Sequence, residues 1–425
     1  MSCGVTLDPQ YFTGLDMFQT HAGNATCLVY PQGMDADALQ ASFVVVLRAY
    51  PVFAGRIRRD AQGHDFMDCN DAGVLWRVQC HPGATPPYGL SRPIGPDTQR
   101  YSRRIMPWQV VNQPRAAVVL EIHQFEDGGT ILTVVASHSV CDGAAFWHFM
   151  MDWVRVHRGH PIASPPALDR NAVIRFSHGH AGRPVAGPLL RDTTLPQRLS
   201  TWSRLAWQYA TAMDWTVFRI PGEQIARWKA ETKSADGQAP ALATQDLVLA
   251  KCLQRLSPRL RPSLPRHVGL VHDLRFRRHV GMGRKYVGNA LSRDMITLSA
   301  EAIAQNDVAS LARQCQVPLD HLSQEELIQD LQRMEYHRHH RTIHTLASTA
   351  GWHTADAGLI LNNSAHFPVY KVDFGNGPPS WHEYPRAPYR RLLLTPSAQM
   401  DGGLDVHLSA HRHELVDFQA WQTHW

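Results

Sequence analysis

The chain has 425 residues, of which 44% are hydrophobic and 19% charged, and its formal net charge is +5 at pH 7. This composition describes an ordinary folded globular protein that is long enough for two domains of about 200 residues each. The mild positive charge suits an anionic ligand in a local basic patch, but not a nucleic-acid-binding protein, in which basic residues cluster in stripes.

Cysteine usage and hydrophobic runs bear on the compartment. The seven cysteines, an odd number without a Cys-x-x-Cys pair, argue against a disulfide framework and a structural zinc site. A reducing cytoplasm is therefore expected, and no metal is expected at the functional site. The first residues form no signal-peptide-like apolar run, and no stretch of about 18 or more apolar residues is present to span a membrane.

The hydrophobic pattern of the first half predicts alternating helices and strands. The acidic first turn and the apolar spacing of 35–47 are typical of an amphipathic helix, and Asp127-Gly128-Gly129 is a hairpin turn signal. The run at 130–136 is apolar throughout, which indicates a strand buried on both faces. In chain order, the predicted elements are a helix at 35–47, a strand starting at 53–57, strands at 116–125 and 130–136, and a helix at 144–157.

Glycines and prolines at about 177–196 break any regular element and predict a linker. The expected organisation is an N-terminal domain at 1–178, a linker at 179–203 and a C-terminal domain at 204–425, with part of 360–400 packing on the N-terminal domain. The second half mixes helices and strands, which indicates an α/β or layered α+β fold. Its predicted elements are helices at 243–256 and 322–339, and strands at 268–273, 369–373 and 404–408.

The segment Ser-His-Ser-Val-Cys-Asp-Gly at 137–143 places a histidine, an aspartate and a glycine where a buried strand is predicted to turn into a helix. Such a position would hold a general base on a rigid element that faces a cleft. The spacing by itself is weak, because His-x-x-x-Asp occurs five times in the chain. The pairs are His64/Asp68, His123/Asp127, His138/Asp142, His148/Asp152 and His413/Asp417.

Local context argues against three of these pairs. His148 and Asp152 lie one turn apart inside a predicted helix, and pairs at that spacing are common by chance. The pairs that begin at His64 and His413 lack the following glycine and lie in polar surroundings. A surface position is the expectation for both.

The two remaining pairs differ in their predicted structure. Asp127 belongs to a hairpin turn, whereas His123 lies in the strand before it, so the two side chains are not expected to form one site. His138 follows a buried strand and precedes a helix, which makes it the candidate base. A structural interpretation stays open beside it: Asp142 would cap the helix, Gly143 would relieve crowding, and His138 would be a hydrogen-bonded core residue.

Further segments make the chain resemble the BAHD acyltransferases, which belong to the superfamily that includes chloramphenicol acetyltransferase. The segment at 137–143 resembles the HxxxDG motif of that family, and other blocks occur in the family's order over nearly the whole chain. These blocks are the helix and Tyr-Pro-Val-Phe-Ala-Gly-Arg at 39–56, the hairpin at 125–132, Asp-Leu-Arg-Phe-Arg at 273–277, Tyr-Val-Gly-Asn at 286–289, Asp-Phe-Gly-Asn-Gly-Pro at 373–378 and Gly-Gly-Leu-Asp-Val at 402–406.

The resemblance implies two chloramphenicol acetyltransferase-like domains of mixed β-sheets flanked by helices, with a channel between them. It implies transfer of an acyl group from acyl-CoA, a co-substrate and not a bound cofactor, to a hydroxyl or amine of a specialised metabolite. His138 would be the general base. Asp142 would point away from it and pair with Arg275, which joins the two halves, and Gly143 would leave room for the thioester. The residues at 373–377 would be a fold signature.

The chain departs from the family's pattern at two places, which indicates a divergent member. Asn362-Asn363-Ser364 stands where plant members carry Thr-Ser-Trp, eleven residues before Asp373, and Asn376 replaces a tryptophan. Asn362 and Ser364 remain candidate donors to the thioester oxygen. The resemblance also makes Asn289 a candidate residue on the CoA side or in the channel lining.

Several alternatives stay open. A carrier protein could replace CoA as the donor, as in condensation domains, although those carry a doubled histidine where this chain has Ser137. A non-catalytic relative that only binds ligands is a second alternative. The basic, histidine-rich segment at 337–344 could bind a metal or the CoA phosphates, and Lys251 and Arg255 could meet those phosphates. Solvated helix faces explain all of them as well. We expect a monomer whose partners are the acyl-CoA donor and the acceptor, without nucleic acid or membrane.

Overall fold

The computed structural model describes residues 1–20, 23–83, 98–101, 105–179, 187, 189–232, 241–256, 264–277, 280–316 and 323–421. Its helices are α1 (Gly14–Phe18), α2 (Ala36–Leu47), α3 (Thr98–Tyr101), α4 (Gly143–His157), α5 (Asn171–Ser177), α6 (Leu195–Thr211), α7 (Gly222–Glu231), α8 (Thr244–Leu256), α9 (Ala300–Gln305), α10 (Val308–Cys315), α11 (Gln324–His339), α12 (Thr349–His353) and α13 (Val416–Trp421). Its strands are β1 (Gln10–Tyr11), β2 (Gly23–Tyr30), β3 (Arg56–Arg59), β4 (Asp65–Asp68), β5 (Leu75–His81), β6 (Val118–Phe125), β7 (Thr130–Ser137), β8 (Leu190–Asp192), β9 (Met213–Ile220), β10 (Arg266–Asp273), β11 (Leu291–Leu298), β12 (Leu346–Ser348), β13 (Leu359–Asn363), β14 (Trp381–Glu383), β15 (Arg391–Pro396) and β16 (Leu404–His411).

Two large sheets dominate this mixed α/β fold. The first contains five strands in the order β14-β2-β7-β6-β5, and the second contains six in the order β11-β10-β13-β15-β16-β9. Each sheet packs against helices through its own hydrophobic core, with α2 and α4 on the first and α8 on the second. Both sheets mix parallel and antiparallel pairs, so the fold class predicted from the alternating pattern is confirmed.

The predicted hairpin and its following helix lie where the hydrophobic pattern indicated. β6 and β7 pair antiparallel, and every residue of β7 is buried. In α2, Asp35 caps the first turn by accepting hydrogen bonds from two backbone N–H groups. Phe43 of α2 packs edge-to-face on Trp153 of α4, with ring centroids 5.0 Å apart. This packing holds the second half of α4 against α2.

The prediction of a strand at 369–373 is wrong. Val369–Lys371 forms a 3-10 helix that begins after Pro368, whose carbonyl accepts a hydrogen bond from the backbone N–H of Lys371. The side chains of Val369, Tyr370 and Val372 are buried in the core of the first sheet. A short apolar run signals burial but does not by itself distinguish a strand from a turn of helix.

The predicted linker at 179–203 contains regular structure. Residues 180–186 and 188 lie outside the described part of the chain, but β8 pairs antiparallel with β12, and α6 begins at Leu195. Pro196 was interpreted as a helix breaker, yet it lies in the first turn of α6, where a missing N–H has no cost. The domain boundaries themselves stay a prediction.

The second half of the chain also contributes to the first sheet. β14 pairs antiparallel with β2, so that Trp381 lies opposite Val29 and Glu383 opposite Cys27. The buried residues between Val369 and Phe374 join the same core. The first sheet is therefore completed by residues far along the chain.

Candidate active site

The motif at 137–143 lies in the turn between β7 and α4. β7 ends at Ser137, whose backbone N–H donates to the carbonyl of Ala117, and the turn closes with a hydrogen bond from Val140 to Ser137. α4 begins at Gly143. His138 is therefore attached to the end of a strand that is buried along its whole length, and its backbone has little freedom to move.

A single amide determines the orientation of the His138 ring. Nδ1 of His138 lies 2.8 Å from Oδ1 of Asn289. The amide nitrogen of Asn289 donates to the carbonyl of His138 at 2.7 Å and to Oδ1 of Asp16 at 2.8 Å. Because both amide protons are used in this way, Oδ1 must accept a hydrogen bond from the N–H at Nδ1 of His138. The neutral ring then carries its proton on Nδ1, and Nε2 has a free lone pair.

Asn289, the candidate for the CoA side or the channel lining, bonds to His138, and its place on a channel stays a prediction. Its side chain is fully buried behind His138, where it bonds to the ring, to the backbone and to Asp16. The glycine-containing turn before it brings the amide close to the β7 end. A motif match names a residue without stating which way its side chain points, so these contacts could not be predicted from the sequence.

Asp16 and Arg170 support this arrangement and were missed from the sequence. Asp16 accepts hydrogen bonds from both the side chain and the backbone N–H of Asn289 and forms an ion pair with Arg170 at 3.0 Å. Arg170 also donates to the carbonyls of Ser139 and Val140. The only sequence signal was a capping box, in which Thr13 and Asp16 cap each other's backbone N–H groups.

Asp142 pairs with Arg275 and turns away from His138. Its two oxygens lie 3.0 and 2.8 Å from the two terminal guanidinium nitrogens, and they also accept hydrogen bonds from the backbone N–H groups of Ala145 and Ala290. Both side chains are almost completely buried. Asp142 belongs to the turn after the first sheet, while Arg275 follows β10 of the second, so the pair joins the two sheets.

Burial and neighbouring charges act in opposite directions on the pKa values of Asp142 and His138. Burial alone would raise the pKa of the Asp142 carboxyl, but Arg275 and the backbone donors outweigh it and hold that pKa below its ordinary value. Burial lowers the pKa of His138, although Asp142 and Asn289 partly offset the shift. The imidazole is therefore neutral at pH 7, which is the form that can accept a proton.

Arg275 also fixes the segment that contains Asn289. Its guanidinium donates to the carbonyl of Tyr286 at 2.9 Å and to that of Gly288 at 3.2 Å. The Gly288 carbonyl in turn accepts from the backbone N–H of Asp142. One buried cation thereby holds both the turn after His138 and the residue that orients its ring.

Gly143 makes room for a protein side chain. A Cβ atom at this position would lie 3.1 Å from two ring carbons of Phe367, which is closer than ordinary contact. Phe367 donates its backbone N–H to Ser364, the last residue of the Asn362–Ser364 candidate segment. The structure therefore brings this segment to the start of α4. That the thioester also uses the space beside Gly143 stays a prediction.

Asn362 and Ser364 lie at the end of β13. β13 runs parallel to β10, so Asn362 and Arg275 lie at the same edge of the second sheet. Asn362 is half-buried, and its Oδ1 is 3.5 Å from Oγ of Ser364, which is buried. No hydrogen bond of the Asn362 amide nitrogen is found among the described residues.

The other candidate residues have structural surroundings. Asp152 accepts hydrogen bonds from Tyr50 and Lys285 and not from His148. His123 bonds to the ring of a neighbouring histidine in the first sheet. On α8, Lys251 lies over the Trp228 ring at 4.4 Å, and the neighbouring Arg255 covers another tryptophan.

One group of side chains outside the motif has the composition of a metal site. His411, His413 and Glu414 bring possible ligand atoms within 4.8 Å of one another. Both oxygens of Glu414 already accept hydrogen bonds from the guanidinium of Arg390, and one also accepts from the His411 backbone. The buried guanidinium of Arg390 would repel a metal ion bound there, so this group does not support a metal centre.

None of the described helices has the length and apolar composition to span a membrane.

Comparisons with known proteins show the family to which the chain belongs. Residues 12–425 match the model of the Transferase family. The chain is 27% identical over 403 residues to a hydroxycinnamoyl-CoA:5-hydroxyanthranilate N-hydroxycinnamoyltransferase of Avena sativa, with 91% of this chain and 85% of that protein covered. It is also 27% identical to hydroxycinnamoyltransferase 2 of Oryza sativa subsp. japonica, with 91% and 86% covered.

The fold has a solved counterpart as well. The structure of TRI101 from F. graminearum in complex with coenzyme A and deoxynivalenol superposes with a TM-score of 0.77 at 16% identity, and 99% of each chain is covered. The two-sheet architecture expected from the motifs is thereby confirmed. The family model matches nearly the full length of this chain. The chain therefore belongs to the Transferase family, the BAHD acyltransferases that use acyl-CoA.

Proposed function

We propose that His138 is the general base in the transfer of an acyl group from acyl-CoA to a hydroxyl or amine of a small-molecule acceptor. The observation that supports this most strongly is the hydrogen-bond chain from Asp16 through Asn289 to Nδ1 of His138. It holds the ring in one tautomer and one orientation, with Nε2 free. General bases need this combination of fixed geometry and an unprotonated lone pair at neutral pH.

The reaction follows from these groups. A thioester is already electrophilic, so the difficult step is removal of the acceptor proton. Nε2 of His138 takes that proton as the acceptor oxygen or nitrogen bonds to the thioester carbonyl carbon. The tetrahedral intermediate then collapses, its carbon–sulfur bond breaks, and protonated His138 gives the proton to the departing thiolate. The products are the acylated acceptor and free CoA.

We assign supporting roles to further residues around His138. The amide nitrogen of Asn362, at the edge of the second sheet, would donate to the negative oxygen of the intermediate. The hydroxyl of Ser364 would hold the Asn362 amide by donating to its Oδ1. Asp142 takes no proton. Its pairing with Arg275 holds the turn that carries His138. Asn289 acts through His138 and is a positioning residue.

A direct assay with acyl-CoA tests the proposed function. Gel-filtered protein, which we expect to be a cytoplasmic monomer of 47.8 kDa without a bound cofactor, is incubated with a panel that includes acetyl-CoA and p-coumaroyl-CoA. We expect release of free CoA thiol, slow with water alone and faster with a mixture of alcohols and amines, whose acyl products are identified by mass spectrometry. Light scattering reports the molecular mass in the same preparation.

The contrary outcomes of this assay are specific. Absence of both binding and turnover with every CoA ester would favour one of the two alternatives. Transfer from an acylated carrier protein would then indicate a condensation-like enzyme. No transfer from either donor would indicate a ligand-binding relative that retains the fold.

The pH dependence of kcat/KM should follow the ionisation of His138. Its pKa is lowered by burial, so the neutral base persists at pH values below the ordinary imidazole pKa of about 6.5. We expect constant activity near neutrality and a decline only as the pH falls through that lowered pKa. The measurement is kcat/KM at saturating acceptor from about pH 5 to pH 8. An acid limb centred above pH 7 would contradict His138 as a buried base.

A further inference from the structure

A cavity of about 540 Å³ lies beside the backbone that carries His138. Ser137 and Ser139, the neighbours of His138 on either side, belong to its wall. The β3–β4 hairpin forms one side, and the segment from Arg338 to Leu346 forms another. Volumes of roughly 300–1,000 Å³ are typical of sites that enclose a small molecule. The cavity therefore has the size of an acceptor and starts at the catalytic motif.

The charged residues in the wall of this cavity leave a surplus of positive charge. Arg59 forms two hydrogen bonds with Asp65, which also belongs to the wall. Arg338 pairs with Glu335 at 2.8 Å. Within the described residues, no carboxylate pairs with Arg341. Of the arginines in the wall, Arg341 is therefore the one without a carboxylate partner among the described residues.

The position of Arg341 is fixed by contacts with the hairpin. Gly63 adopts a φ of +86°, and a Cβ atom there would lie 2.6 Å from Cδ of Arg341. The absence of a side chain at Gly63 lets the arginine stem lie against the hairpin. Arg341 follows α11, and its backbone N–H donates to the carbonyl of Arg338. Arg341 is exposed as a whole, and its stem lies against the hairpin at the rim of the cavity.

We propose that this cavity binds an acceptor that carries a carboxylate, with Arg341 as its principal contact. A guanidinium binds a carboxylate through two parallel N–H donors, which gives both affinity and orientation. His344, also in the wall, offers a ring nitrogen nearby. The inference rests on the proposed function, because it requires that the hydroxyl or amine end of the same molecule reaches His138.

The phosphates of CoA are a second source of negative charge, but the location argues against them. The cavity wall includes both chain neighbours of His138, where the reacting ends of the substrates meet. In acyl-CoA, the whole pantetheine arm separates the phosphates from the thioester. A cation in this cavity is therefore better placed for a short acidic acceptor than for the nucleotide end of the donor.

Paired ligands test the proposal. Hydroxybenzoates and aminobenzoates, each with its methyl ester, are titrated into wild-type protein by calorimetry and then supplied as acceptors with the best acyl-CoA. We expect the acids to bind about ten- to a hundredfold more tightly than their esters, as charge-assisted hydrogen bonds contribute on this scale. Arg341→Gln should remove this preference and raise KM for the acid, with KM for acyl-CoA and donor hydrolysis unchanged.

Arg227→Gln is the matched control, because it removes one exposed arginine from α7 and should change neither constant. Equal binding of acids and esters in wild type would overturn the inference. A rise in KM for acyl-CoA in Arg341→Gln, with acid binding unchanged, would overturn it too and assign the cation to the donor. Donor hydrolysis needs no acidic acceptor, so its absence counts against the proposed function, whereas acid binding still decides the role of Arg341.

Discussion

Replacing His138 by alanine is expected to lower kcat for acyl transfer by about 10²–10⁴-fold, with acyl-CoA binding retained. The change removes the only group that we assign to take the acceptor proton. The half-buried ring makes its single side-chain hydrogen bond with Asn289, so its loss should leave the fold intact. The measurements are thiol release under saturating substrates, calorimetric titration with CoA, and circular dichroism of the variant.

His413→Ala serves as the control for this prediction. His413 belongs to another His-x-x-x-Asp pair, is exposed, and lies in the second half of the chain. We expect wild-type kcat from it. Turnover of His138→Ala within a few-fold of wild type, in well-folded protein, would rule out His138 as the base and direct attention to a water or another residue of the channel.

Asp142→Asn should destabilise the protein by about 3–5 kcal/mol, the usual effect of removing one partner from a buried ion pair. The carboxylate accepts four hydrogen bonds, two from Arg275 and two from backbone N–H groups. An amide cannot satisfy all four donors, and the Arg275 charge would lose its main partner. The measurement is the midpoint of urea unfolding, together with the yield of folded protein.

An exposed ion pair provides the comparison. Asp356 pairs with Arg204 at 2.7 Å, but both side chains are more than 40% exposed, so Asp356→Asn should cost at most about 1 kcal/mol. If Asp142→Asn were as stable as this control yet lost activity, Asp142 would act in the chemistry itself. Loss of stability and activity together is the result that supports a scaffold role.

The sequence was most informative where the hydrophobic pattern or turn residues of a single element determine its structure. The apolar run of β7, the Asp-Gly-Gly turn and the amphipathic spacing of α4 are local signals, and each matched the structure. They were enough to locate His138 at a strand end. The distant blocks then indicated a partner for Asp142, because the resemblance linked 137–143 to 273–277 across the chain.

The remaining features depend on contacts that no local pattern encodes. Asn289 was found by its motif, but its direction depends on how β10 and β11 bring the turn before it against the end of β7. Asp16 and Arg170 meet there from two further segments. Their polar side chains would be expected at the surface from sequence alone, and only the assembled fold shows them buried and paired.

The late position of β14 in the chain bears on how the protein is made. When β2, the β6–β7 hairpin and α4 have left the ribosome, the turn that carries His138 has been made, but Trp381–Glu383 has not. Until then, the β2 edge keeps unpaired backbone N–H and C=O groups, which readily pair with strands of other chains. The nascent N-terminal half is thus a sheet that lacks its β14 edge strand until this late segment has been made.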